Sequence, residues 1–126
     1  MENSSLALRI ARILYDKKAQ DITVLNVAHL TVITDYMVIA SGRSALQVKA
    51  LADDVDDALA MDGISLRARE GQGEGRWIVL DYGTVLVHIF HPEDRRFYHL
   101  ERLWEDGQNR VLLPFAEDED GEKPQA

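Results

Sequence analysis

The residue types most suited to chemistry in this chain are a run of carboxylates, four imidazoles and a glycine-rich loop. Asp54-Val55-Asp56 follows Gly42-Arg43-Ser44, and paired carboxylates near a glycine-serine turn are what metal-assisted nucleotidyl transfer would require. One metal is held by such a pair on a strand, where alternate side chains share a face. Here the pair falls inside a helical pattern formed by Val48, Leu51, Ala52, Val55, Ala58 and Leu59, which turns the two carboxylates about 200° apart. Asp53, Asp54, Asp56 and Asp57 are therefore expected on a solvated helix face, with a metal-dependent nucleotidyltransferase-like enzyme kept as the alternative. His29, His88, His91 and His99 show no standard metal-ligand spacing. Gly71, Gly73 and Gly75 lack the Lys-Ser/Thr that follows a phosphate loop, no Gly-x-Ser-x-Gly elbow occurs, and there is no cysteine for a nucleophile, thiolate site or disulfide. No catalytic residue, cofactor or metal is expected.

The elements that would position a site follow from periodicity. Leu6, Ile10, Ile13 and Leu14 share one face, predicting an amphipathic helix from about Ser5 to Lys18, capped by Asn3, Ser4 or Ser5. Ile22 to Val27 is rich in β-branched residues, and Tyr36 to Ala40 is almost continuously apolar. Both read as strands, the second buried on both faces. His29 to Thr34 between them is ambiguous. Ser44 caps the next helix and Gly63 ends it. Leu66 to Glu70 is a third strand, two more follow, Pro92 stops the last of them, and Glu93 to Trp104 reads as one helix with Phe97, Leu100, Leu103 and Trp104 on a common face. That order predicts an α/β (α+β) fold, a mixed sheet of about five strands packed with helices.

The most informative segment is the pair Arg76–Asp81 and Thr84–Phe90, joined through Tyr82-Gly83 as a hairpin. With the turn at Asp81–Thr84, Leu80 pairs with Val85, Val79 with Leu86, Ile78 with Val87 and Trp77 with His88. One face then carries Ile78, Leu80, Tyr82, Val85, Val87 and Ile89 and should pack on helices. The other carries Trp77, Val79, Asp81, Thr84, Leu86, His88 and Phe90, a mixture of apolar anchors and polar groups that suits a binding surface. A helix of the same chain covering this second face is the competing expectation, and a bulge in the turn would move the register.

The 126 residues are enough for one domain, and 46% hydrophobic with 29% charged residues is a globular composition. Net charge is −8, of which −4 lies after Phe115, where five carboxylates stand against Lys123. The expected organisation is a folded domain over 1–115 and a disordered acidic tail over 116–126. A mildly acidic fold disfavours phosphate gripping and suits a basic protein partner. The start carries no signal-peptide or transit pattern and no apolar run is long enough to span a bilayer, so a cytoplasmic protein is expected.

Three blocks, Lys17 to Ile22, Thr34-Asp35-Tyr36-Met37-Val38-Ile39-Ala40-Ser41-Gly42 and Gln47 to Asp53, together with Trp77-Ile78-Val79-Leu80-Asp81-Tyr82-Gly83, Val87-His88-Ile89-Phe90 and Arg96 to Trp104, resemble the Iojap and RsfS ribosomal silencing factors in the same order. The resemblance runs from about Leu6 to Trp104. It implies a nucleotidyltransferase-like topology without the catalytic site and a homodimer when free. It also implies a non-enzymatic factor that binds the large ribosomal subunit through its protein fourteen, blocks subunit joining and represses translation under nutrient limitation. On that basis Trp77, Val79, Asp81, Leu86 and His88, with Glu70 on the neighbouring strand, are the expected partner-binding residues. Tyr98, Glu101 and Trp104 are the expected dimer or secondary contacts, and Trp77→Glu is expected to remove binding with the fold nearly unperturbed.

Overall fold

The computed structural model describes residues 3–71 and 73–115; the acidic segment 116–126, expected to be disordered, lies outside the described residues. Helix α1 spans Asn3–Asp16, strand β1 Gln20–Asn26, β2 Tyr36–Ser41, α2 Ala45–Met61, β3 Ala68–Glu70, β4 Trp77–Asp81 and β5 Val85–Phe90, followed by two short helices, α3 Pro92–Tyr98 and α4 Glu101–Trp104. The strands form one sheet in the order β1-β2-β5-β4-β3. Only β2 and β5 run parallel; every other pair is antiparallel. That parallel pairing requires a crossover, and α2 lies within it.

Local chemistry explains the element ends. Helix α1 stops before Lys18, whose positive φ of 71° reverses the chain into β1. The Ser44 hydroxyl oxygen accepts from the Gln47 backbone N–H at 3.1 Å while the Gln47 side-chain oxygen accepts from Arg43 N–H, a reciprocal cap on α2. At the other end Gly63, with φ of 80°, lets Ile64 N–H reach back to Leu59 C=O at 2.8 Å.

Helices α1 and α2 cover one sheet face. Leu6, Ile10, Leu14, Val48, Leu51, Val55 and Leu59 pack there on Val24, Val38, Ala40, Ile78, Leu80, Val85, Val87 and Ile89. A second, smaller cluster lies on the opposite face: Leu25, Val27, Met37, Ile39 and Phe90, partly roofed by Leu100 and Trp104. Strand β2 feeds both clusters alternately, so its continuous apolar run is buried on both sides as expected. Residues 109–111 lie along the outer edge of β1, with Asn26 N–H donating to Asn109 C=O and Val111 N–H to Val24 C=O, both at 2.8 Å. This covers part of an edge that would otherwise be open to strand pairing.

Two expectations need correction. The hairpin turn centres on Gly83-Thr84 rather than Tyr82-Gly83: Tyr82 N–H donates to Val85 C=O at 3.0 Å, and Leu80 pairs with Val87, Val79 with His88 and Trp77 with Phe90. The partner strand is thus displaced by two residues, an even number, so every side chain keeps its expected face. Asp81 fixes the new turn by accepting from Gly83 N–H at 2.7 Å, with Gly83 at φ of 88°. The segment 93–104 is not one helix. His99 takes a left-handed φ of 47°, which breaks it between α3 and α4. Leu100 and Trp104 turn inward, while Phe97 and Leu103 are 80% and 73% exposed.

Candidate functional site

All six residues expected to bind a partner stand on the sheet face opposite α1 and α2. Directly opposed residues in antiparallel strands share a face. Glu70 opposes Val79, Val79 opposes His88, Asp81 opposes Leu86, and Trp77 opposes Phe90. The face therefore reads across the strands as one row of Glu70, Val79, His88 and Ile39 and a second of Ala68, Asp81, Leu86 and Met37.

The rows differ in exposure. Toward β1 and β2 the face is buried beneath Leu100 and Trp104. Toward β3 and β4 Val79, Asp81 and Leu86 remain partly open and Glu70 is exposed. The expectation of a free face and the expectation of a covered one thus each describe half of it.

Trp77 stands at the border and is itself engaged. Its ring stacks on Phe90 with centroids 4.7 Å apart and meets Tyr98 at 5.0 Å, and its indole N–H donates to His88 Nδ1 at 3.1 Å. With these contacts, substitution at Trp77 is expected to disturb the packing as well as the surface, in contrast to the sequence-based expectation of a nearly unperturbed fold.

His88 is 7% exposed and supports Trp77 from below. Because Nδ1 accepts a hydrogen bond, the ring must be the neutral tautomer with its proton on Nε2, and Nε2 has no hydrogen-bond partner among the described residues. Burial independently pushes the imidazole down from 6.5 to about 4. The sign of the consequence is fixed. Above pH 6.5 the group is neutral folded or unfolded. As pH falls below 6.5 the unfolded chain takes up a proton that the folded chain refuses, and the loss is complete once pH drops through about 4. His88→Phe should flatten thermal stability over that window by up to ~1.4 kcal/mol per pH unit relative to the parent chain, measured by melts at pH 7, 6, 5 and 4.

The strap formed by α3 and α4 is held by Arg95. Its guanidinium meets Glu101 at 2.8 Å and donates to the hydroxyls of Ser41 at 3.1 Å and Thr23 at 3.3 Å, joining the strap to β1 and β2. Burial alone would raise the Glu101 carboxyl, but hydrogen bonding and Arg95 hold it below its usual range. Of the residues expected as dimer or secondary contacts, Glu101 is thus occupied inside the strap and Trp104 packs on the sheet, whereas Tyr98 is half exposed beside Trp77. Arg95 was not singled out in the sequence. An arginine beside the expected apolar helix face gave no pattern to mark its burial.

Asp54 and Asp56 lie on α2, with Asp56 accepting from the Tyr82 hydroxyl at 3.4 Å and Asp53 paired with Arg69 at 2.8 Å. No group of three or more histidine, aspartate or glutamate residues among the described residues is arranged to hold a metal. No helix among the described residues is long and apolar enough to cross a membrane.

The family model described as "Ribosomal silencing factor during starvation" (RsfS) matches residues 1–126. The ribosomal silencing factor RsfS of Bacillus subtilis is 41% identical over 91 residues, covering 72% of this chain and 77% of the relative. That of Halalkalibacterium halodurans is 36% identical over 106 residues, covering 84% and 91%. A crystal structure of a Chromobacterium violaceum protein superimposes with a TM-score of 0.81 at 34% identity, covering 90% of this chain and 97% of the other.

Proposed function

The chain belongs to the RsfS (Iojap) family of ribosomal silencing factors, regulators of translation rather than enzymes, and from that membership we propose that it binds the large ribosomal subunit through the face carrying Glu70, Trp77, Val79, Asp81, Leu86 and His88. The partner is the large subunit's protein fourteen, and occupying it keeps the small subunit from joining. The observation that carries this reading is the half-open sheet face: Val79 and Leu86 offer partly exposed apolar area beside the Asp81 and Glu70 carboxylates. Apolar anchors exclude water while the carboxylates select a basic partner.

Residues 1–115 are the binding unit, and the molecule works in the cytoplasm, dimeric when free. The scaffold is nucleotidyltransferase-like in topology without the catalytic site. In support, Asp54 and Asp56 point different ways from one helix, Asp56 toward the Tyr82 hydroxyl. A steric mechanism asks only for affinity and bulk. Added to purified subunits, the protein should reduce the joined fraction in a sucrose gradient until every large subunit carries a copy, and added nucleotide should change nothing. An unaltered joined fraction at saturating protein would oppose the steric reading.

A further inference from the structure

We propose that the loop between β1 and β2, residues 28–35, is a second part of the partner-binding surface and seats its apolar side chains on an apolar patch of the same ribosomal protein. This rests on the binding face proposed above and extends it. Val32 is 103% exposed, Ile33 71% and Leu30 44%. Adjacent large apolar side chains left so open on one loop call for an explanation.

The loop is not loose. Leu30 and Thr31 N–H both donate to Val27 C=O, at 2.9 and 3.1 Å, and the Thr31 hydroxyl oxygen accepts from Ile33 N–H at 3.1 Å. Val27 N–H donates to Asp35 C=O at 2.8 Å, Asn26 Oδ1 accepts from Ala28 N–H, and the Thr34 side chain is buried. A backbone already ordered in this way displays its apolar groups without the ordering cost that binding would otherwise carry.

Its position joins it to the face. Asp35 and Tyr36 N–H both donate to Thr84 C=O in the hairpin turn, at 3.0 Å. His29 Nε2 meets Asp106 at 2.7 Å, and Asn109 bonds both Asn26 C=O and Trp104 C=O. The loop therefore borders the binding face between the turn and the strap. The extent of the face points the same way. A stable interface engages roughly 20 residues or more on each side, and the half-open sheet alone offers far fewer. Occupancy by RNA is disfavoured, because exposed aliphatic side chains neither stack bases nor pair phosphates.

The test compares three proteins, Val32→Glu/Ile33→Glu, Val32→Lys/Ile33→Lys and Leu86→Glu, for binding to purified large subunits, with melting and sedimentation velocity on each. Both loop variants should melt within about 2 °C of the parent, since the substituted side chains are open to solvent. Both should bind roughly tenfold more weakly or worse, because an apolar seat rejects either charge. Val32→Thr/Ile33→Thr, which keeps both positions uncharged and branched at Cβ, should weaken binding less and serves if a charged variant misfolds. Tighter binding by the lysine variant would point to RNA and overturn the inference. So would altered self-association with unaltered subunit binding, which would make the occupant a second copy. Loss of binding in Leu86→Glu but not in the loop variants would sink this inference alone. Full binding by all of them would remove the proposed face as well.

Discussion

Trp77→Glu should no longer travel with large ribosomal subunits, and it should also melt roughly 10 °C below the parent chain. The double effect follows from what the indole touches. Its ring lies on Phe90 and against Tyr98, and its N–H satisfies His88 Nδ1. Replacing it forfeits aromatic packing worth about 2–3 kcal/mol, which in a domain of this size moves the melting point by several degrees per kcal/mol. It also strands the His88 acceptor beside a carboxylate, in a site where the ring is already held neutral. Binding should fall for a separate reason, since a charge replaces an apolar anchor at the border of the open face. Leu86→Glu separates the two effects because Leu86 is partly exposed and only packs at the margin of the smaller cluster. It should lose subunit binding with a much smaller change in melting. If Trp77→Glu still co-sediments at parental strength, the indole is a core residue only.

Arg95→Ala should be the most damaging of the single substitutions considered, at about 3–5 kcal/mol in urea denaturation. Arg95 and Glu101 are both largely buried, with side chains 10% and 14% exposed. Removing the guanidinium leaves Glu101 enclosed with one carboxylate oxygen already lacking a hydrogen-bond partner among the described residues, takes the Arg95 donor from the Ser41 hydroxyl and leaves the Thr23 hydroxyl only Arg110. Arg95→Met combined with Glu101→Leu should recover much of the loss, because apolar groups of similar volume need no partner. A double variant as unstable as Arg95→Ala would locate the damage in packing rather than in an unpaired charge. The functional consequence lies in the strap. Once α3 and α4 detach, Tyr98 no longer backs Trp77, and subunit binding should weaken even where the domain remains folded.

The sheet and its two faces were legible because they depend on parity. Ile78, Leu80, Val85, Val87 and Ile89 alternate with Trp77, Val79, Leu86, His88 and Phe90, and this alternation survives a shift of two residues in register. The turn was less legible. Tyr82-Gly83 and Gly83-Thr84 both offer a glycine, and the choice is made by the Asp81 carboxylate bonding Gly83 N–H. The break at His99 was hidden for a different reason. No proline or glycine marks it, and a single non-glycine residue in the left-handed region leaves no trace in the hydrophobic periodicity. The burial of Arg95 was hidden because it comes from hydrogen bonds between residues far apart in sequence, Arg95 to Ser41 and Thr23, and the anchoring of the 28–35 loop is partly of the same kind, through His29 to Asp106.

The central claim is that this sheet face, rather than the helical side of the molecule, meets protein fourteen of the large subunit. A photoreactive residue placed at Leu86, on the open face, and another at Asp57, exposed on α2, test it on the intact chain with purified large subunits. Position 86 should crosslink to protein fourteen in high yield and position 57 should not. Crosslinking of protein fourteen from position 57 alone, or of a different ribosomal component from position 86, would contradict it.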